Sequence, residues 1–291
     1  MRSTVGEYGD PAAWDVARQQ QRPGRLPGVD MAGFRIPRAP AGGLRVVPHP
    51  AVMLLLDFGT SPSVVDDGAG RRHRGSLVAG PGFGFGGAAR AWGENIECVQ
   101  VRLSPVIARA VLDVCPADLD TTSVALDGLW GREASRIREQ LREISSWEER
   151  FALTAALLAR RRDARFPVDP EVAWAWNRIA LSRGRVRVGH LAAELGWSRK
   201  RLWSRFHAQT GMPPKRAVNL VRFDHAAHQL VSGEGAARVA ADGGYFDQSH
   251  LHREVMAFSG VTPANVAGEQ FLTVDATAWP AAHGRPRVAQ R

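Results

Sequence analysis

Short apolar runs separated by turn residues fill positions 28 to about 103, and a helical period replaces them further along. Residues 1–25 are polar and periodless, with Gln19-Gln20-Gln21-Arg22-Pro23-Gly24, and predict a flexible arm. From about residue 28 to 103, Gly and Pro punctuate β-type runs at 43–47, 52–58, 75–79 and 96–103, which predicts a small antiparallel barrel or sandwich. Ser104-Pro105 reads as an N-cap followed by proline at the first helical position, opening a helix through about Val114. Over residues 132–162 the period is helical: Ile137, Leu141 and Ile144 form one stripe, and Phe151, Leu153, Leu157 and Leu158 another. Ser146 and Glu149 have capping-box spacing and start the second of these helices. Residues 165–170 read as a linker, with Asp169-Pro170 capping the next helix.

The C-terminal third repeats itself. Leu191-Ala-Ala193 and Gly196 recur as Val239-Ala-Ala241 and Gly244, and Leu202, Phe206, Gly211 and Pro214 recur as Leu251, Val255, Gly260 and Pro263. Each copy predicts a short helix, a glycine-containing turn, a capped second helix and a Gly/Pro stop, which is helix-turn-helix punctuation. At about 100° per residue, Leu202, Phe206 and Gln209 face inward in the first copy, while Lys200, Trp203, Ser204 and His207 face out. In the second copy Leu251, Val255 and Phe258 face inward, while Ser249, His252, Arg253 and Met256 face out. A helix over residues 215–231, buried along Leu220, Phe223, Ala227 and Leu230, joins the copies. Donors and cations near capped N-termini are what a helix entering a major groove must present. Held by a rigid connector, two such helices predict two successive major-groove contacts about 10 base pairs apart.

The alternation of His250, His252 and Glu254 raises the question of a metal site. Positions two apart on a helix diverge by about 200°, so the two histidines cannot grip one ion together. His250 and Glu254 share a face but lack a third ligand, which predicts a surface ion pair and no metal.

With 291 residues the chain is long enough for two domains of roughly 100–150 residues each. Neither a secretory core segment nor a run of roughly 20 apolar residues is present, which predicts a cytoplasmic protein without a membrane partner. Two cysteines, Cys98 and Cys115, are too few for a zinc cluster or a disulfide framework. The net charge of +9 is concentrated: residues 165–268 carry fourteen Lys and Arg against eight Asp and Glu. That excess points to a polyanionic partner. Gly80-Pro-Gly-Phe-Gly-Phe-Gly-Gly87 lacks the Gly-Lys-Ser/Thr end of a phosphate loop and reads as a barrel turn. His49 and His73 stand alone in the β region, so neither a catalytic residue nor a cofactor is expected.

Residues 186–268 resemble the DNA-binding domain of AraC/XylS-type transcription regulators. The resemblance is carried by Leu191-Ala-Ala-Glu-Leu-Gly-Trp-Ser-Arg-Lys-Arg-Leu-Trp-Ser-Arg-Phe206 with Thr210, Gly211, Pro214 and Arg222. In the second copy it is carried by Val239-Ala-Ala-Asp-Gly-Gly-Tyr-Phe-Asp-Gln-Ser-His-Leu-His-Arg-Glu-Val255 with Gly260, Thr262 and Pro263. Leu251 and Val255 depart from the phenylalanines more usual in the family, and both are core positions. The resemblance implies base contacts from Lys200, Trp203 and Ser204 in one unit and from Gln248, Ser249, His252 and Arg253 in the other. It implies positioning or backbone contact by Ser198, Arg199, Arg201 and Asp247, with His250 completing the DNA-binding set. Trp203 either meets a thymine methyl or packs on the neighbouring helix.

The implied architecture is α+β: a small β-barrel or cupin-like sensor domain ending in a helical pair (26–163), then an all-α domain of two helix-turn-helix units (170–268) and a tail (269–291). Its partners would be operator or promoter DNA, a small-molecule effector, RNA polymerase for an activator, and a second copy of the chain. The helices of 132–162 serve either dimerisation or packing on their own barrel. No ligand-binding residue is fixed by the sequence; Phe83, Phe85 and Trp92 are the candidates for lining a barrel interior, or belong to its ordinary core. The competing function is a DNA-associated enzyme with its chemistry in the N-terminal domain.

Overall fold

The computed structural model of the chain describes residues 14–19, 27–119, 122–162, 166–266 and 268–279. Its strands are β1 (Asp15–Arg18), β2 (Val29–Arg38), β3 (Leu44–Arg45), β4 (Val52–Asp57), β5 (Val64–Asp66), β6 (Arg72–Arg74), β7 (Leu77–Ala79), β8 (Arg90–Trp92), β9 (Glu94–Leu103) and β10 (Ser123–Ala125). They form a six-stranded sheet in the order β1-β2-β9-β4-β7-β10 and a four-stranded sheet in the order β3-β8-β5-β6. Every pairing between them is antiparallel; in the longest, Phe34 lies opposite Cys98 and Ile36 opposite Ile96.

The large sheet is buried on both sides. Phe34, Ile36, Leu55, Ile96 and Cys98 face the small sheet, whose Leu44, Val65 and Ala91 meet them. The opposite face, with Met31, Leu54, Leu56, Val99 and Val101, packs on helices. Double coverage explains why residues 98–103 are all buried, where a half-exposed strand would alternate. Those helices are α1 (Pro105–Leu112), α2 (Pro116–Leu119), α3 (Leu126–Trp130), α4 (Arg132–Glu143) and α5 (Trp147–Arg161). The cap half of the capping box forms, Ser146 Oγ accepting from the Glu149 amide at 3.2 Å, while the Glu149 carboxylate accepts from the Ser146 hydroxyl at 2.8 Å. Ser104 offers no side-chain cap, and α1 stops at Leu112 because Asp113 turns left-handed, φ 54°. The apolar stripes of α4 and α5, Ile137 and Leu141 with Phe151, Leu157 and Leu158, are buried in this domain's own core. They are therefore not a free dimerisation surface.

The remainder is helical: α6 (Pro170–Leu181), α7 (Val188–Glu194), α8 (Arg199–Thr210), α9 (Pro214–Val231), α10 (Ala236–Asp242), α11 (Gln248–Ser259), α12 (Pro263–Val266) and α13 (Gln270–Ala278). Asp169 caps α6 by accepting from the amides of Glu171 and Val172. The core of this region gathers Trp176, Leu202, Phe206, Phe223, Leu251 and Phe258, and takes in Val47 and Val106 from the β-rich part.

Two expectations change and two gain a further role. Asp15–Arg18, placed in the arm, pairs with β2, while the rest of 1–25, apart from Trp14 and Gln19, lies outside the described residues. The tail begins with a helix, α13, whose Val274, Ala278 and Trp279 are buried against the β domain, so its apolar residues have a core to join. The linker residues 166–169 are held in place: Gln209 bonds the Asp169 amide and the Pro167 carbonyl, and the Arg109 guanidinium sits 4.5 Å over Phe166. The glycine-rich turn serves as a docking surface. At Gly87 an added Cβ would lie 1.8 Å from the Ser259 carbonyl oxygen of α11, and Phe85 meets Phe258 edge-on at 5.1 Å.

Candidate nucleic-acid interface and the cavity of the β domain

The two helical units are built alike. In the first, Gly196 turns at φ 63° and Ser198 Oγ accepts from the Arg201 amide at 3.1 Å. In the second, Gly244 turns at φ 74° and Asp247 Oδ1 accepts from the His250 amide at 2.7 Å. Both turns need a left-handed residue, which glycine supplies without a Cβ clash. α8 and α11 also end alike. Thr210 and Ser259 return their hydroxyls to the carbonyls of Phe206 and Val255, and Gly211 and Gly260 follow in left-handed conformations.

Each second helix is tied down at the equivalent position. Arg205 of α8 bonds Asp169 at 2.7 Å, and Glu254 of α11 takes a two-pronged pair from Arg222 of α9. Arg222 and Glu254 are both buried. Burial works against the Arg222 charge, yet the Glu254 hydrogen bond and charge outweigh it and raise its pKa. Glu254 is thus an interior anchor and makes no surface pair with His250. The interior guanidinium on α9 wins over a helix neighbour four residues away.

The outward faces are open. Ser198, Arg199, Lys200, Arg201, Trp203 and Ser204 are exposed on α8, as are Asp247, Gln248, Ser249, His252 and Arg253 on α11. No acidic residue occupies the cap or first turn of α8, so the positive end of its backbone dipole is left for an anion, whereas the Asp247 carboxylate already sits at that end of α11. Trp203 is 51% exposed and stacks on His207 of its own helix, with ring centroids 5.0 Å apart and planes within 3°. Packing on a neighbouring helix is not its role. Arg201 lies 4.7 Å over Trp197, and the Arg253 Nε donates to the Ser249 carbonyl. His250 differs from the rest of the set. It is half-buried edge-on against Tyr245, and its Nδ1 accepts from the Phe246 amide, so it braces the turn. Two features escaped the sequence reading: the support of Trp203 by His207, and Phe246, 93% exposed at the tip of the second turn. A large apolar residue directly before an N-cap was the available signal for Phe246.

A cavity of about 110 Å³ lies between the two sheets. Its walls include Phe34, Ile36, Met53, Leu55, Phe83 and Cys98. Phe83 lines it, whereas Phe85 points to Phe258 and Trp92 lies outside, over Gly43. Burial, with the charges of Asp57 and Glu97, pushes the Cys98 thiol pKa up, so this thiol is not an activated nucleophile.

His49 is not alone. Its Nδ1 meets Asp224 of α9 at 2.8 Å, and Arg102 of β9 reaches its Nε2 at 3.1 Å. Arg102 also pairs with Asp275 of α13, which bonds His228 of α9 at 2.8 Å. Burial, then the charge of Arg102, lowers the pKa of His49. Burial also opposes protonation of His228, but Asp275 and Asp224 overcome it and raise its pKa. Among the described residues no group of three or more His, Cys, Asp and Glu is placed to hold a metal ion. Nor is any helix among them long and apolar enough to cross a membrane.

Residues 191–268 match a family described as a helix-turn-helix domain. No curated protein matches the chain by sequence. Among solved structures, ToxT from Vibrio cholerae O395 is similar at 12% identity over 85% of this chain and 99% of its own, with a TM-score of 0.47. The C-terminal domain of AraT, a response regulator from Geobacillus stearothermophilus, is similar at 21% identity over 34% of this chain and 85% of its own, with a TM-score of 0.33.

Proposed function

We propose that this protein is a sequence-specific DNA-binding transcription regulator of the AraC type, reading two successive major grooves, a reading supported by the match of residues 191–268 to a helix-turn-helix domain. The observation that carries the reading is the matched pair of exposed, capped helix faces on α8 and α11, held by one connecting helix. Lys200, Trp203 and Ser204 would meet base edges in one groove, and Gln248, Ser249, His252 and Arg253 in the next. Ser198, Arg199, Arg201 and Asp247 would set the helix ends against the backbone. Such a protein works in the cytoplasm, at the nucleoid.

Regulation by a small-molecule effector is the second part of the proposal, and the cavity between the sheets is where it would sit. RNA polymerase is the further partner of an activator. A homodimer would use the outer faces of α4 and α5, since their apolar stripes are covered. Catalysis in the β domain gains no support from the inert Cys98 or from the His49 cluster, whose groups are all engaged with one another. The test is a gel-shift comparison on DNA selected from a random pool by the full-length protein. Lys200→Ala plus Arg253→Ala should weaken specific binding by about 5- to 150-fold per lost base contact, at about 1–3 kcal/mol each. Unchanged affinity would remove these helices from the interface.

A further inference from the structure

All walls of the cavity but two belong to the β domain; the exceptions, Val274 and Asp275, come from α13, beyond the second helix-turn-helix unit. The lining is almost wholly apolar, and its single charged group, Asp275, is occupied by Arg102 and His228. The remaining polar groups are also committed or weak: Ser63 Oγ donates to Asp57, and Gln100 Nε2 points to the Met53 sulfur. One donor is left over. The indole Nε1 of Trp14, a lining residue, is buried without a hydrogen-bond partner. A carboxylate guest would therefore face the Asp275 carboxylate with no spare cation to receive it, while a neutral acceptor could satisfy Trp14.

Size sets the second constraint. At about 110 Å³ the space is smaller than the roughly 150 Å³ cavity known to take a benzene-sized guest. Anything larger has to displace a wall. β4 and β9 are hydrogen-bonded to strands on both sides, so they resist displacement. α13 is a nine-residue helix whose hold includes the Asp275 pairs and Trp279, stacked 4.4 Å from the Arg102 guanidinium. Asp275 bonds Arg102 of the sheet with one oxygen and His228 of α9 with the other. Moving α13 therefore breaks a buried link between the β domain and the helix that spaces the two reading units.

We propose that the cavity takes a small uncharged ligand, with an apolar body and one hydrogen-bond acceptor, and that α13 is the wall that yields to it. Ligand occupancy thereby reaches α9 through Asp275. The inference rests on the effector reading given above, and its test needs no DNA, so failure of the DNA-binding reading would not touch it.

The probes are acetophenone, neutral with one acceptor, and benzoate, an anion of the same size, titrated into the full-length protein by calorimetry. Hydrogen exchange is followed over residues 270–278. Acetophenone should bind at least tenfold more tightly than benzoate and speed exchange in that segment. Val274→Phe and, from the opposite wall, Ala91→Leu should each abolish binding, and two variants guard against misfolding of one. Equal or tighter binding of benzoate overturns the ligand class while leaving an effector site in place. Binding with unchanged exchange at 270–278 overturns the role of α13. Absence of binding by both probes overturns the proposal, and the effector reading is then judged separately, by whether any small molecule co-purifies with the full-length protein.

Discussion

Glu254→Ala tests the internal anchoring of the second reading helix. Glu254 and Arg222 are each 8% exposed, and the pair is two-pronged, so removing the carboxylate strands a guanidinium inside the domain. Breaking a buried pair on one side costs about 3–5 kcal/mol, against a total stability of roughly 5–15 kcal/mol for a domain. His250→Ala removes only an edge-on ring contact and one hydrogen bond to the Phe246 amide, a loss of about 1 kcal/mol. Urea unfolding followed by far-UV circular dichroism should place the two variants at least 2 kcal/mol apart, to order of magnitude. The double variant Arg222→Met plus Glu254→Leu should recover most of the loss, because apolar side chains remove both charges from the interior. Equal costs for Glu254→Ala and His250→Ala, or a double variant no more stable than Glu254→Ala, would refute the buried-anchor assignment.

Gly87→Val should prise the glycine-rich turn from the end of α11, since even a Cβ there would lie 1.8 Å from the Ser259 oxygen. Faster hydrogen exchange over residues 256–260, with the secondary structure of both domains intact, is the expected result, and unchanged exchange would contradict it. The His49 cluster should tie α9 and α13 to the β domain most strongly near neutral pH. His49 has a lowered pKa when folded, so its contribution is present above its ordinary value near 6.5 and is lost as pH falls below that. His228 has a raised pKa, so its contribution is present below 6.5 and is lost as pH rises through the raised value. Thermal unfolding across pH should show stability falling on both sides of that window, and Asp275→Asn should flatten the alkaline limb.

The helix-turn-helix units were legible because their signals are local: Ser198, Asp247, Gly196, Gly244, Gly211 and Gly260 each act within a few residues of themselves. Their repetition at a nearly fixed offset made the architecture readable as well. What escaped was set by partners distant in sequence. His49 looked isolated because Asp224 is 175 positions away, and Arg102 meets Asp275 across 173. Glu254 looked like a partner for His250 because helical spacing brings the two together, yet Arg222, 32 positions earlier, holds it. Gly80–Gly87 read as an ordinary turn because its glycines fit any tight bend; their use against α11 depends on how the two domains meet. α13 was missed because a short apolar stretch gives no sign of which surface it will cover.

The central claim is that α8 and α11 read two successive major grooves, and footprinting tests it most directly. Full-length protein would select sites from a random DNA pool, and the enriched sites would be mapped by guanine-methylation interference. Two clusters of interference about 10 base pairs apart on one face of the duplex are predicted, with Lys200→Ala erasing one cluster and Arg253→Ala the other. A single cluster, or two that respond together to either substitution, would contradict the account.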